Sequence, residues 1–351
     1  ILLLMKVAYI VPSLQATGPI IVVNNLVRYL KDIVEKVDVY YFDELPAMQF
    51  DCRTIQIRMG EKIDFDAYDI IHSHCLRPDK YLVKWKKYIH KAKIVTTIHQ
   101  DTFQSLKFQY NCLLAYGVTE YWNRLQKKFD GIISISNQLR DIYNSKVGNK
   151  IQTIYNGTYI HIDDSKMNVD VVGKIQQYRH SGFKILGTYA LIVKRKGINQ
   201  ILDALPFLSD YAMIIIGSGP YVSELKQQVE RLHLENRVCF IPHLDEPYNY
   251  LSLFDVYTMT SYSEGFGLAM VEAAMAGKSI VCSDLLSFHE IFTDREVSFF
   301  ELDNTKSLIN AVENAYIHKE EKGHLACLKA TLNYTARNMA KNHLLYYQKL
   351  I

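Results

Sequence analysis

The chain has 351 residues, 49% of them hydrophobic and 22% charged, which excludes a disordered polypeptide and leaves room for two domains of ordinary size. Its formal net charge of +3 at pH 7 argues against bulk binding of nucleic acid, and no segment is apolar for the roughly 18 residues of a membrane-spanning helix. The six cysteines are scattered without a Cys-x-x-Cys pair, so we expect reduced thiols in a cytoplasmic protein without structural zinc.

Strands and helices alternate along the whole chain, which predicts a doubly wound α/β architecture. The apolar run from Met5 to Val11 predicts a buried first strand rather than a signal peptide, because Lys6 interrupts it and no cleavage region follows. A helix is predicted over residues 20–30. Gly18 lies between this strand and this helix, where doubly wound folds hold phosphate groups. Further strands of the first half are predicted over 37–42, 54–57, 68–72, 93–98 and 151–155.

Polar residues cluster around the strand at 68–72. Asp64 and Asp66 form an Asp-x-Asp pattern, but they precede a strand and are typical of a polar turn, so a metal role is rejected. His72 and His74 lie at the end of the strand and share one face, because alternate residues of a strand point the same way. No third ligand accompanies them, so we expect no metal there. We predict that His74 and the nearby Arg77 contact an acceptor substrate.

The segment from residue 77 to residue 93 is strongly basic, with Asp79 as its single acid. On a helix, its lysines would form one stripe beside aromatic and aliphatic residues. The members of this stripe are Lys80, Lys84, Lys87 and Lys91. A basic stripe edged with aromatic residues suits an anionic membrane surface. A solvated face of an ordinary amphipathic helix explains the pattern equally well, and both interpretations stay open.

His99 follows the predicted strand at 93–98, at the sheet edge where open α/β folds bind ligands. A histidine there can donate a hydrogen bond to a hydroxyl or exchange a proton. The polar and weakly patterned residues 158–180 predict a boundary between two domains, 1–165 and 166–335. In the second domain, Arg195 and Lys196 precede a helix and can neutralise a diphosphate, although a solvated cationic cluster is the alternative.

Two glycine-bearing turns follow predicted strands of the second domain. Gly217 follows the strand at 212–216, but its Gly-x-Gly lacks the third glycine of a dinucleotide fingerprint. Between the strands 256–259 and 279–282, a small polar loop leads into a helix that Gly277 ends.

The first amides of that helix suit a phosphate, because helix N-termini bind anions. They belong to Gly265, Phe266, Gly267 and Leu268. Glu264 and Glu272 flank these amides and can accept hydrogen bonds from hydroxyl pairs of a sugar and a ribose. A helix cap and a solvated surface residue are the alternative interpretations of the two glutamates. The whole arrangement indicates a nucleotide-sugar site.

The string Ser-x-x-Glu-Gly-Phe-Gly-x-x-x-x-Glu-Ala, followed by Ala-Gly-Lys-Ser-Ile-Val-Cys-Ser-Asp, closely resembles glycosyltransferase family 4. These are retaining enzymes of the GT-B fold. The resemblance implies two Rossmann-like domains with parallel sheets facing across a cleft, and a C-terminal helix at about 336–351 that crosses back to the N-terminal domain. It also implies a UDP-sugar or GDP-sugar donor, with UDP-sugar favoured, and no metal or other cofactor.

The resemblance assigns roles to matching positions. Glu272 is expected to hold the ribose. Glu264 and the amides that follow it are expected to bind the donor sugar and the phosphates. Lys196 and Arg195 are expected to stabilise the leaving diphosphate, and His99 to contact the sugar. Gly18 and Gly217 complete the expected donor contacts. This chain departs from the family at Gln100, where Asn or Asp is usual, at Leu191, where Arg is usual, and in the first loop, which has one glycine.

The acceptor is expected to be a glycan, lipid-linked in surface polysaccharide or lipopolysaccharide synthesis, at the inner face of the cytoplasmic membrane. Three other functions stay open. A non-hydrolysing UDP-sugar epimerase has the same fold and needs no acceptor. A nicotinamide-dependent dehydrogenase is disfavoured because no Gly-x-Gly-x-x-Gly follows the first strand. A non-catalytic nucleotide-sugar-binding subunit is disfavoured by the complete set of charged residues.

Overall fold

The computed structural model describes residues 3–45, 48–148 and 150–351. The chain forms two compact units. The first comprises Ile1–Thr158 and Tyr334–Ile351, and the second comprises Tyr159–Asn333. None of the helices in these described ranges is long and apolar enough to span a membrane.

The first unit is built on a parallel seven-stranded sheet in the order β3-β2-β1-β4-β5-β6-β7. Its strands are β1 Leu3–Ser13, β2 Val34–Asp43, β3 Arg53–Gln56, β4 Ile70–His74, β5 Lys93–Ile98, β6 Gly131–Ser134 and β7 Ile151–Thr153. Its first helices are α1 Gly18–Leu30, α2 Leu76–Trp85, α3 Thr102–Lys107, α4 Cys112–Gln126 and α5 Asn137–Val147. The strand order reverses between β1 and β4, so the carboxyl ends of these strands lie where such sheets bind ligands.

The second unit holds a parallel six-stranded sheet in the order β10-β9-β8-β11-β12-β13. Its strands are β8 Lys184–Tyr189, β9 Tyr211–Ile216, β10 Val238–Ile241, β11 Val256–Met259, β12 Ser279–Ser283 and β13 Ser298–Phe300. Its helices are α6 Val169–His180, α7 Ile198–Ala204, α8 Val222–Arg231, α9 Leu268–Met275, α10 Leu286–His289, α11 Thr305–Ile317 and α12 Lys319–Asn333. The order reverses between β8 and β11, which defines the ligand-binding edge of this sheet.

The last helix, α13 Ala336–Leu350, packs along α1 in the first unit. Thr335 caps it by accepting a hydrogen bond from the amide of Asn338 at 3.1 Å. The main chain of Thr158 bonds on both sides of this cap, donating to Tyr334 at 3.0 Å and accepting from Ala336 at 2.9 Å. A Cβ atom on Gly157 would lie 2.2 Å from the Thr335 carbonyl oxygen, so only glycine fits at this crossing. The C-terminal helix therefore belongs to the first unit, as the resemblance implies.

The predicted helical stripe of lysines is wrong. Helix α2 ends at Trp85 and a 3-10 turn follows, so Lys80 and Lys84 lie on α2 whereas Lys87 and Lys91 do not. The chain leaves the helical path because the Asp66 carboxylate accepts hydrogen bonds from the amides of His90 and Lys91, both at 3.0 Å. Asp66, predicted as a turn residue before β4, thus also binds the distant segment at residues 90–91, a contact that the sequence did not indicate. The four lysines are exposed without sharing one helix face.

Candidate active site

Two loops meet at the ligand-binding edge of the second sheet. After β8 the chain forms a 3-10 turn over Lys194–Lys196 and then the left-handed Gly197, with φ of 61°. After β11 it runs through Thr260 to the start of α9. A Cβ atom on Gly197 would lie 2.0 Å from the Thr260 carbonyl oxygen, and the Tyr262 amide donates to the Arg195 carbonyl at 2.8 Å. Backbone packing thus holds the cationic turn against the loop that carries Glu264.

The predicted cations and the first glutamate form one cluster. The Oε1 atom of Glu264 lies 2.6 Å from Lys196 Nζ and 3.4 Å from an Arg195 guanidinium nitrogen. Ser261 donates its hydroxyl to the same oxygen at 2.9 Å. The Glu264 side chain is 10% exposed and both cationic side chains are 19% exposed. Two cations against one carboxylate leave a net positive charge here, which suits a phosphate group.

Opposing effects act on the pKa of Glu264. Burial alone would raise it, because a low-dielectric environment disfavours the charged form. The charges of Lys196 and Arg195, with hydrogen bonds from Lys196 and Ser261, outweigh burial and lower the pKa to about 2. Glu264 is therefore an ionised, acceptor-only group near neutral pH.

The start of α9 has the predicted backbone geometry. Gly267 caps the helix at φ of 91°, and a Cβ atom there would lie 2.9 Å from the Phe288 ring. Phe266 is 2% exposed, so its ring is buried and anchors the loop. Leu268 is the first residue of α9, and Gly277 follows the helix in the left-handed conformation, at φ of 70°, as the sequence predicts. Gly265 and its neighbours therefore lead directly into a helix N-terminus.

Glu272 is buried, so its interpretation as a solvated surface residue is wrong. It lies on the second turn of α9 and is 8% exposed. Tyr189, the last residue of β8, donates its hydroxyl to Glu272 Oε2 at 2.7 Å. Burial raises the pKa of Tyr189, so the phenol keeps the proton that it donates. Sequence analysis missed Tyr189, although its place at the end of the strand beside the order reversal could have indicated it.

The glycines after β9 are required by packing inside the second unit. Gly217 has φ of 145°, and a Cβ atom there would lie 1.9 Å from the Ala190 carbonyl oxygen. A Cβ atom on Gly219 would lie 2.2 Å from the Ile192 carbonyl oxygen. The turn after β9 thus packs on the loop after β8, and a donor contact at Gly217 stays a prediction.

Histidines gather at the ligand-binding edge of the first sheet. His72 and His74 lie on the same face of β4 with ring centroids 4.3 Å apart, and Nδ1 of His74 lies 2.7 Å from Nε2 of His99. His74 is 0% exposed, which does not agree with the predicted acceptor contact, because protein atoms cover its ring completely. Within the described ranges, no group of three or more His, Cys, Asp or Glu side chains is arranged to hold a metal ion.

The other two site residues predicted in the first unit are Arg77 and Gly18. Arg77 forms a two-point ion pair with Asp43, at 2.6 and 2.9 Å, and its guanidinium lies 4.8 Å from the centre of the Phe42 ring. Gly18 is the first residue of α1, two residues before the predicted start, and a Cβ atom there would meet nothing within 4 Å. The fold therefore does not require glycine at position 18, and roles for Arg77 and Gly18 stay predictions.

Two family descriptions match this chain. Residues 174–326 match the glycosyl transferases group 1, and residues 23–160 match glycosyltransferase family 4. The O-antigen biosynthesis glycosyltransferase WclY of Escherichia coli is 33% identical over 335 residues, which cover 91% of this chain and 92% of that protein. The phosphatidyl-myo-inositol mannosyltransferase of Mycobacterium leprae is 26% identical over 78% of this chain and 70% of that one. The chain therefore belongs to the family 4, or group 1, glycosyltransferases.

Solved structures share the fold over nearly the whole chain. Sucrose-phosphate synthase from Thermosynechococcus elongatus superposes with a TM-score of 0.81 at 18% identity, covering 99% of both chains. HepE of Anabaena, in complex with UDP and glucose, gives a TM-score of 0.79 at 19% identity, covering 98% of this chain and 99% of that one. The fold is GT-B, with two Rossmann-like units.

Proposed function

We propose that the protein is a retaining, metal-independent glycosyltransferase that moves a sugar from a UDP-sugar to a lipid-linked glycan in surface polysaccharide synthesis. The observation that carries this proposal is the partly buried ion cluster of Lys196, Arg195 and Glu264 beside the start of α9, the helix that carries Glu272. The similarity to WclY supports O-antigen as the product class. The UDP complex of HepE supports a UDP-sugar donor.

Each group of the cluster has a proposed task in the transfer. When the bond from the sugar C1 to the diphosphate oxygen breaks, the bonding electrons leave with the diphosphate. Lys196, Arg195 and the α9 amides stabilise the charge that develops there, without a metal ion. Glu264 and Glu272 accept hydrogen bonds from hydroxyls of the sugar and the ribose, and His99 contacts the sugar. Transfer that is unchanged by EDTA is expected, and its loss in EDTA would refute metal independence.

Retention is proposed to occur by same-face attack. The acceptor hydroxyl attacks C1 from the side of the departing diphosphate, and its proton passes to a diphosphate oxygen. Glu264 is a poor nucleophile, because its low pKa and ion pairs stabilise the free carboxylate. NMR of the product linkage tests this step. An inverted anomeric configuration would overturn it.

A membrane-bound acceptor is supported by an unusual surface on α4. The buried side of this helix includes the polar Thr119 and Asn123, whereas Leu113 and Tyr116 are 86% and 60% exposed. Large apolar side chains on a solvent face mark interaction sites. Lys86 donates to the Lys128 carbonyl oxygen, which joins the basic segment after α2 to the end of α4. Apolar, aromatic and cationic groups together suit an anionic bilayer surface.

Sedimentation with phosphatidylglycerol vesicles tests the membrane proposal. Replacing Leu113 and Tyr116 by Ser should weaken binding, as should neutralising Lys80, Lys84, Lys87 and Lys91 together. Leu332→Ser is the control, because Leu332 is 74% exposed on α12 in the other unit. Equal binding of all variants would show that these side chains do not hold the membrane, and no binding by the wild-type protein would leave a water-soluble acceptor as the alternative.

Thermal stabilisation by UDP, GDP, their sugar conjugates and NAD tests the donor class. A ligand at about 100 times its dissociation constant should add about 2.7 kcal/mol to the free energy of unfolding. We expect stabilisation by UDP and one UDP-sugar. Stabilisation by NAD alone would indicate a dehydrogenase. Turnover of the UDP-sugar without an acceptor would indicate an epimerase, and binding without any turnover a non-catalytic subunit.

A further inference from the structure

His99 has one ring nitrogen occupied within the protein. Its Nε2 atom lies 2.7 Å from Nδ1 of His74, with the ring centroids 5.0 Å apart. His99 is the half-buried member of this pair, whereas His74 is completely covered. Nδ1 is therefore the nitrogen of His99 that remains for a hydrogen bond to a substrate.

The ring of His74 is held by its neighbours. The centroid of the His74 ring lies 4.3 Å from that of His72 and 6.0 Å from that of Tyr9 on the adjacent strand. His72 is itself fixed at both nitrogens, by Tyr347 at 2.6 Å and by Thr97 at 2.7 Å. These rings are all 0% exposed. His74 therefore presents its Nδ1 to His99 from a rigid support.

The hydrogen bond between the two imidazoles contains a single proton. Burial lowers the pKa of His74 well below its ordinary value and that of His99 to about 3, so both rings are neutral near pH 7. A neutral imidazole has one N–H donor and one acceptor nitrogen. The proton between them therefore belongs either to His74 Nδ1 or to His99 Nε2.

The other nitrogen of His74 decides between these alternatives. Nε2 of His74 is buried, and no group in the described part of the chain lies within hydrogen-bond distance of it. Nε2 is unpaired in either tautomer: with a proton it is a buried donor without an acceptor, and without one it is a buried acceptor without a donor. Native structures leave a buried acceptor unpaired more often than a buried N–H group, so the tautomer without a proton on Nε2 is favoured. The proton of His74 is therefore on Nδ1, where it is donated to His99.

We propose that His74 is a positioning residue that fixes His99 as the Nδ1–H tautomer, so that His99 acts on the substrate as a hydrogen-bond donor from Nδ1. The substrate group that it recognises is a hydroxyl or another neutral oxygen acceptor. The role in transfer rests on the proposed function, whereas the tautomer does not. In this state His99 orients a sugar hydroxyl and does not accept a proton from the acceptor.

Nitrogen-15 NMR of the histidine rings tests the tautomer without any substrate. The His99 signals are identified by their loss in His99→Gln. In the wild-type protein at neutral pH, we expect the proton of His99 on Nδ1. His74→Phe should shift His99 towards the Nε2–H form, and His74→Asn should restore the Nδ1–H form, because the Asn amide places a donor near the position of Nδ1. A proton on His99 Nε2 in the wild-type protein would refute the proposal, even if no variant folded.

His343→Phe is the matched control. His343 is 1% exposed in the same unit, and its Nδ1 bonds the Met339 carbonyl oxygen at 2.9 Å rather than His99. It should leave the tautomer of His99 unchanged. With the nucleotide sugar that stabilises the protein, His74→Phe should lower kcat/KM by about 10-fold, and His74→Asn should recover most of it. A changed tautomer with unchanged kcat/KM would refute the role in transfer while leaving the proposed function intact.

Discussion

At the scale of single residues, Lys196 and its neighbour Lys194 share one turn but differ in their contacts. Lys196 pairs with Glu264 at 2.6 Å, whereas Lys194 is exposed. Lys196→Ala should lower kcat by about 100-fold, because it removes a charge that we propose stabilises the leaving diphosphate. It should also raise the pKa of Glu264, because Lys196 is the main charge that lowers it.

Lys194→Ala is the control for that prediction. It removes a cation from the same turn without touching Glu264, so kcat should stay near the wild-type value. Steady-state kinetics of both variants is the measurement. Equal losses would mean that general positive potential, rather than the Lys196 contact, assists the reaction.

Tyr189 supports the carboxylate that we assign to the ribose. Tyr189→Phe removes its hydrogen bond to Glu272 and leaves a buried carboxylate oxygen with one donor fewer. UDP should then bind about 10-fold more weakly by calorimetry, which corresponds to about 1.4 kcal/mol. Tyr211→Phe is the matched control, because Tyr211 donates to Glu313 at 3.2 Å elsewhere in this unit. An equal loss in both variants would contradict a specific role for Tyr189.

At the scale of elements, a buried carboxylate joins four of them. Asp79, in the first turn of α2, accepts hydrogen bonds from Ser73 of β4 at 2.5 Å, Thr96 of β5 at 2.9 Å and Trp122 of α4 at 2.7 Å. It is 0% exposed, and burial raises its pKa to about 7 against the lowering effect of these bonds. Asp79 therefore fixes α2 and α4 to the edge of the first sheet that carries the histidines.

Asp79→Leu should cost about 3 kcal/mol or more in the free energy of unfolding, because three donors lose their acceptor. Asp79→Asn should cost less, since its amide oxygen still accepts while its amide nitrogen faces the donor of Trp122 or Thr96. Thermal unfolding measures both. Asp141→Asn, at an exposed position on α5, should cost less than about 1 kcal/mol. A small effect of Asp79→Leu would show that packing alone joins these elements.

The regular elements could be predicted because their determinants are local. Val256–Met259 is a β-branched and apolar run bounded by polar residues, and Gly277 follows the periodic positions of α9, so this βαβ unit agrees with the prediction. The end of α2 could not be predicted in the same way. It depends on Asp66, which binds amides 24 and 25 residues further along the chain.

The sequence indicated which positions form the site, but it did not indicate which side chains contact one another there. The motif indicated Glu264 and Glu272, but Tyr189 lies 83 residues from Glu272, and its place at a strand end does not reveal which carboxylate it contacts. His74 lies at a strand end, which suggested an acceptor contact. Its burial depends on rings from β1, β4 and the segment after β5, which no local pattern reveals.

At the scale of the whole molecule, the two units should respond differently to acid. In the first unit His72, His74 and His343 are buried and His99 is half-buried, and desolvation lowers all four pKa values, to about 3 for His99 and about 4 for His343. Below about pH 6.5 the unfolded chain therefore binds protons that the folded unit excludes, and stability falls as the pH falls. In the second unit, Glu264 has its pKa lowered from 4.5 to about 2, so its contribution is lost only at lower pH.

Each buried histidine should remove about 1.4 kcal/mol per pH unit between about pH 6.5 and its folded-state pKa. Asp79 opposes them, because its raised pKa favours the folded state as the pH falls through 7. The net effect is still a loss, since four imidazoles act against one carboxyl. Hydrogen exchange at pH 7.5, 6 and 5 should therefore show β4, β5 and α13 losing protection before β8 and β9.

His343→Phe tests whether the buried histidines, rather than a general sensitivity to acid, cause the loss of stability at low pH. The substitution changes the absolute stability of the first unit, so the quantity to compare is its slope with pH. That slope should become less steep by about 1.4 kcal/mol per pH unit between pH 6.5 and about 5, because the unfolded chain then binds one proton fewer that the folded unit excludes. His343 suits this test because its pKa is lowered chiefly by burial and its Nδ1 bonds the main chain of its own helix. An unchanged slope, or equal loss of protection in both units at pH 5, would show that the buried imidazoles do not set the acid limit.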